Sequence, residues 1–143
     1  MYDPAQSSDV SDEIENVPKY KIGLDVHGIL DSNPIWKEIA TMFMNKGYEV
    51  HIITGSLMPK AFKELKKLGM ERHSHYTHIF SISDSLIMKG CAIRYNADNS
   101  PEFDDLEWDK EKALYCERKG ISMHFDDTQR YAKYFTTPIC IRN

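Results

Sequence analysis

The run Tyr20-Lys21-Ile22-Gly23-Leu24-Asp25-Val26-His27-Gly28-Ile29-Leu30 constrains the fold more than any other stretch of the chain. A short apolar segment of this kind predicts a buried strand, and here it stops at a carboxylate. Asp25 then stands at the C-terminal tip of that strand. In open parallel α/β sheets, ligands bind just beyond this end of the strands. A carboxylate there is badly placed for packing and well placed to hold a metal or to attack an electrophile. What else the chain brings to the same tip decides what Asp25 can do.

Apolar, β-rich runs alternate with amphipathic ones along the rest of the sequence. Pro34 opens a helix over 34–46, with Ile35, Trp36, Ile39, Ala40, Phe43 and Met44 at helical spacing and Gly47 as its stop. A second buried strand is expected over 48–53, ending in Thr54-Gly55-Ser56. A basic amphipathic helix follows over 59–68, stopped by Gly69, and then a polar, His-rich loop over 70–77. A third strand is read over 78–83 with Asp84 at its tip, then a helical turn over 85–89 and a short strand over 91–94. Residues 96–105 read as irregular. A helix over 108–119 turns Ala113, Leu114 and Cys116 inward, with Gly120 as its stop. A fourth strand over 121–125 ends in Asp126-Asp127, and a short helix over 128–134 leads to a last strand over 138–141. This alternation predicts an α/β, Rossmann-like three-layer α/β/α sandwich, with a mainly parallel sheet of about five strands and right-handed crossovers. At 143 residues the chain has room for about one such domain, over 19–143.

Charge is unevenly distributed. Residues 1–18 hold five acidic side chains and no Lys or Arg, and they predict a disordered, acidic tail. The remaining residues carry 18 basic and 17 acidic side chains, which leaves no basic stripe for bulk nucleic-acid binding. Cys91, Cys116 and Cys140 are odd in number and lack CxxC spacing, the usage expected of a reduced, cytoplasmic protein. No apolar run approaches the roughly 18 residues of a membrane span, and the acidic start does not read as a signal peptide.

Three strand ends therefore carry chemistry. The first offers Asp25 and His27, the second Thr54 and Gly55, and the fourth Asp126 and Asp127, while Lys110 and Lys112 lie at the start of the helix before that last strand. Three carboxylates from two strand ends can hold a hard divalent cation, and Mg2+ favours a few carboxylates plus water and substrate oxygens. A hydroxyl, a glycine N–H and an ammonium suit a phosphate group. A carboxylate nucleophile among them suits phosphoryl transfer through an aspartyl-phosphate.

In this order the segments resemble the four motifs of the haloacid dehalogenase superfamily of phosphohydrolases. The matching stretches are Ile22-Gly23-Leu24-Asp25-Val26-His27-Gly28, Ile52-Ile53-Thr54-Gly55-Ser56, the lysine of Trp108-Asp109-Lys110, and Met123-His124-Phe125-Asp126-Asp127. The resemblance covers about residues 20–141. The stretch from Trp108 through Asp127, with Thr137-Pro138, is most similar to small 5′-nucleotidase-like and phage-type members. The resemblance implies Asp25 as nucleophile. It implies Mg2+ on Asp25, Asp126 and the main-chain carbonyl of His27, with Asp127 in support. Thr54 and Gly55 would hold phosphate oxygens, and Lys110, in preference to Lys112, would offset the developing charge. A phosphorylated substrate follows, with nucleotides and polynucleotide ends among the candidates.

The chain departs from the family at His27, where family phosphatases carry a second aspartate as acid and base. Imidazole can do that work near neutral pH. Three outcomes follow: a phosphatase using His27, a slow enzyme that accumulates phospho-aspartate, or a phosphate- or protein-binding module without turnover. In response-regulator receiver domains, which share the residue types, the acidic pair comes first along the chain; here it comes last. The spacing between motifs leaves no room for a cap domain, so an open site is expected. The other candidates have plainer readings. His73, His75 and His78 form a solvated loop, His51 is a satisfied core or edge histidine, and His124 is a packing residue. Lys60, Lys63, Lys66 and Lys67 form a solvated helix face, and Asp84 caps the turn that follows it. Trp36, Tyr95, Phe103 and Trp108 serve the core or anchor loops.

Overall fold

A computed structural model describes residues 19–142, so the tail expected over 1–18 lies outside the described residues. Strand β1 (Lys21–Leu24) runs into a wide turn (Val26–Leu30), then helix α1 (Ile35–Asn45), strand β2 (Glu49–Thr54), helix α2 (Met58–Lys67), strand β3 (His78–Ser81) and helix α3 (Ile82–Met88). Strands β4 (Ala92–Tyr95) and β5 (Pro101–Phe103) follow, then helix α4 (Asp105–Lys119), strand β6 (Met123–Asp126), a 3-10 turn (Gln129–Tyr134) and strand β7 (Ile139–Ile141). Five strands form one parallel sheet in the order β3-β2-β1-β6-β7, while β4 and β5 pair antiparallel as a separate hairpin. From β1 at the centre of the sheet the chain winds outward to β3 and returns to the other side of β1. The direction of winding reverses between β1 and β6, the position at which ligands bind in sheets of this kind.

Successive residues of a strand face opposite sides, and both sides of this sheet are covered. Ile22, Leu24, Val50 and Ile52 pack with Ala40, Phe43, Met44 and Leu65 beneath α1 and α2. Ile53 packs with Phe80, Tyr115, Cys116, Ile121 and Phe135 on the α4 side. The result is the α/β, three-layer, Rossmann-like arrangement that the alternation predicts. Gly23 has a specific place in it. It pairs in register with His51 on one side and His124 on the other, and a Cβ at this position would stand 2.6 Å from His124 Nδ1 and 2.7 Å from Ile53 Cδ1. The missing side chain is what lets two large residues fill the α4 face of the central strand.

Several boundaries move, each for a local polar reason. The third strand stops at Ser81, whose hydroxyl accepts the Asp84 N–H at 3.0 Å and turns the chain into α3. Asp84 does not cap that turn, as the sequence suggests; its carboxylate accepts the Met58 N–H at 3.2 Å and caps α2 instead. The stretch read as irregular contains β5, and a knot of Asn96, Asp98 and Ser100 side chains closes its hairpin. Asp104 then accepts the N–H groups of Leu106 and Glu107 at 3.1 and 3.3 Å, and α4 starts at Asp105, ahead of the apolar periodicity. Its inward face is Glu111, Lys112, Ala113, Tyr115 and Cys116; Leu114, expected inside, is exposed. Among the described residues no helix is long and apolar enough to cross a membrane.

Candidate functional site

Asp25 continues the extended path of β1 (φ −74°, ψ 154°), which places its carboxylate beside the end of β6. Its Oδ1 accepts the Val26 N–H at 3.0 Å and lies 3.1 Å from the Lys112 ammonium. Lys112 bridges from there to Asp126, donating to Oδ2 at 2.8 Å. The same Oδ2 takes a 2.8 Å bond from His124 Nε2, while Oδ1 accepts the N–H groups of Asp127 and Thr128 at 2.9 and 3.1 Å. Asp127 is exposed at the mouth. One carboxylate oxygen from each of Asp25, Asp126 and Asp127 falls within 4.8 Å of the others.

The two buried carboxylates differ in state because their partners differ. Burial pushes Asp25 up to about 7, with the negative charge of Asp126 adding to a rise that Lys112 moderates. Asp126 is equally deprived of water, yet the His124 N–H and the Lys112 ammonium hold it well below the usual carboxylate range. Burial pulls Lys112 down, but Asp25 and Asp126 outweigh it and raise the ammonium above its ordinary value. Burial also lowers His124, so the ring is neutral, with its proton on Nε2 facing Asp126 and its buried Nδ1 without a partner. One ammonium among three carboxylates leaves a deficit of two charges when all are ionised. The donor set and this deficit both fit a hard divalent cation.

Lys110, the lysine favoured from the sequence, does not reach this centre. It is exposed, with its Nζ 5.9 Å from the centre of the Tyr134 ring. Lys112, two residues on, takes the place, because the face of α4 that packs on the sheet carries Glu111, Lys112, Ala113, Tyr115 and Cys116. Thr54 is fully buried at the tip of β2. Its Oγ1 accepts the Ser56 N–H at 3.3 Å, which leaves the hydroxyl hydrogen for an incoming acceptor. The Gly55 carbonyl accepts from Ser83 Oγ at 2.6 Å, and the Trp108 indole lies so close that a Cβ on Gly55 would stand 2.8 Å from it. Trp108 stacks on Phe103 and donates its indole N–H to Tyr131 at 3.0 Å, and the Tyr131 ring lies 5.2 Å from the Lys112 ammonium.

His27 stands in the wide turn, whose consecutive i→i−5 bonds join Leu30 to Asp25 and Asp31 to Val26. Turns of this type recur at functional sites. Gly28 makes the turn possible. Its φ is +87°, and a Cβ there would lie 2.0 Å from Asp127 Oδ2, so only bare backbone packs against that carboxylate. The His27 ring sits between two acids, with Nε2 2.5 Å from Glu64 Oε2 and Nδ1 3.3 Å from Asp31 Oδ2. Carboxylates accept, so both contacts are satisfied when both ring nitrogens carry hydrogen. The other Glu64 oxygen is buried and unpartnered.

Sequence reasoning missed two of these residues. His124 was read as packing, but it lies two residues before Asp126 on the same face of β6; that spacing was a usable signal. Glu64 is one acid on a polar helix face and carried no signal. Of the remaining candidates, Lys60, Lys63, Lys66 and Lys67 are exposed, and so is His73. His78 begins β3, as the third strand read over 78–83 expects, but its ring stacks on His51 and is not part of a solvated loop. No protein-family model matches this chain, and no curated protein matches it.

Proposed function

We propose that the chain is a Mg2+-dependent phosphomonoesterase of the haloacid dehalogenase type, working through an aspartyl-phosphate on Asp25. The observation that carries this reading is the Lys112 ammonium held between Asp25 and Asp126 at the tips of neighbouring parallel strands. Asp25, Asp126, Asp127 and the main-chain carbonyl of His27 are the groups that would hold Mg2+. When bound, Mg2+ would balance the excess carboxylate charge and that of the phosphoryl oxygens.

The residues divide the chemistry as follows. A carboxylate oxygen of Asp25 attacks phosphorus, and the ester P–O bond breaks. Lys112, the Thr54 hydroxyl and the Gly55 N–H hold the equatorial oxygens as charge spreads onto them. His27 gives a proton to the departing oxygen, which requires its Nε2 to leave Glu64. His27 then takes a proton from water, which attacks phosphorus. The P–O bond to Asp25 breaks, inorganic phosphate leaves, and the carboxylate is regenerated. Phosphate monoesters, nucleotides and polynucleotide ends among them, are the substrate class. A cytoplasmic setting fits the three free thiols of Cys91, Cys116 and Cys140.

One observation favours a second reading, a phosphate- or protein-binding module without turnover. His27 is already committed to Glu64 and Asp31. Phosphate release from p-nitrophenyl phosphate with Mg2+ separates the two. The phosphatase reading expects release from the native chain and none from Asp25→Asn; no Asp25-dependent release would sink it. His27→Asp alone would set a third carboxylate between Glu64 and Asp31, so His27→Asp is best paired with Glu64→Gln. Activity that appears only in that pair marks the native chain as the binding form.

A further inference from the structure

We infer a second metal site, for a borderline divalent cation of the Zn2+ class, formed by Glu49, His51 and His78 at the end of the sheet remote from Asp25. Glu49 and His51 share the α4 face at the start of β2, and His78, the first residue of β3, pairs in register with His51. His51 Nε2 lies 2.8 Å from Glu49 Oε1, and His78 Nδ1 lies 3.9 Å from the same oxygen. One ligand atom from each of the three residues falls within 4.8 Å of the others.

Two imidazoles and a carboxylate are a donor set that suits zinc with an open fourth position. The surroundings suit it too. His51 is buried, and its second nitrogen meets the Tyr115 hydroxyl at 2.7 Å, the kind of outer bond that orients a metal-bound imidazole. Without metal, the proton between His51 and Glu49 sits on Nε2. Binding moves that single ring hydrogen to Nδ1, where it donates to Tyr115, and frees the Nε2 lone pair for the metal.

Two features set the cost. The His51 and His78 rings stack in parallel, with centroids 4.2 Å apart and 2° between planes. Parallel rings share no lone-pair direction, so His78 must turn out of the stack. Its side chain is 44% exposed and is tied only by a 2.8 Å bond to Thr77 Oγ1, so it has room to turn. Lys21 also lies 3.9 Å from Glu49 Oε1, but it holds a separate 3.0 Å bond to the Lys119 carbonyl that it keeps when the metal arrives. A metal here would pin the edge strand β3 to β2.

The test uses the full chain, freed of metal with chelator and supplied with excess Mg2+ to fill the oxygen-rich carboxylates. ZnCl2 is then titrated by calorimetry and by thermal melting. One Zn2+ per chain should bind and raise the melting temperature. His78→Ala, His78→Gln and Glu49→Gln should each weaken binding about 100-fold, since even outer partners cost about 10- to 100-fold. Asp127→Asn and the pair His73→Ala, His75→Ala should leave binding unchanged. Absence of Zn2+ binding, binding that survives loss of both His78 and Glu49, or binding abolished by either control would overturn the proposal. None of these readouts depends on phosphatase activity, so the two proposals stand or fall separately.

Discussion

Asp25 is a carboxylate whose surroundings penalise its charge, and this has a measurable consequence. Its affinity for a proton rises from an ordinary value of 3.8 to about 7 on folding. Between those limits the folded chain binds more protons at this residue than the unfolded chain, so stability falls as pH rises through the window. Asp25→Asn removes the charge and keeps the shape. In chelator, its unfolding free energy should pull above that of the native protein between about pH 4 and 7 and stay above it beyond, by on the order of 2 kcal/mol, with the melting temperature rising in step. Melting curves that run parallel across that range would show the assigned environment to be wrong. The same penalty made the residue legible beforehand. A carboxylate that ends an apolar strand is anomalous for packing, and so is the Asp126-Asp127 pair; both stood out without coordinates. Glu64 did not, because an acid on a polar helix face is unremarkable until its neighbour is known.

At the scale of elements, α4 shows where pattern reading stops. The sequence marked the helix and its Gly120 stop, and both are present, with Gly120 in the left-handed conformation at φ 67°. The starting point was hidden, because the first turn is polar and begins from a side-chain bond at Asp104. Which face packs on the sheet decides which lysine points inward. The motif match favoured Lys110, whereas the folded helix buries Lys112. Lys112→Met should cost about 3 kcal/mol or more in urea unfolding, since it strands Asp126 and Asp25 without their shared cation. Lys110→Met should stay within about 0.5 kcal/mol. Equal effects from the two would contradict the phase described for α4. The strands were easier to read than the helix phase, because burial on both faces writes them as apolar runs. The hairpin of β4 and β5 was missed in part because Ile93 and Tyr95 are exposed and its loop is polar.

Across the whole molecule, stability is concentrated where strands have two neighbours. The amides of β1, β2 and β6 should exchange with solvent slowest, and those of the β4–β5 hairpin fastest among the strands, by hydrogen exchange followed by mass spectrometry. A hairpin as protected as β2 would mean that it packs more firmly than its exposure indicates. Sheet order also has a consequence for biosynthesis. The central strand β1 is made before both of its neighbours, but the second of them, β6, ends at residue 126, long after β2 ends at residue 54. At a translation rate of about 5–20 residues per second, that gap lasts roughly 4 to 14 s. Throughout it the nascent chain presents an open hydrogen-bonding edge beside Asp25, and for most of it the Lys112 counter-charge has not been added. The ribosome-bound intermediate is thus the stage most exposed to edge-to-edge association, and the helix that brings Lys112 and the strand that covers the edge are made in direct succession.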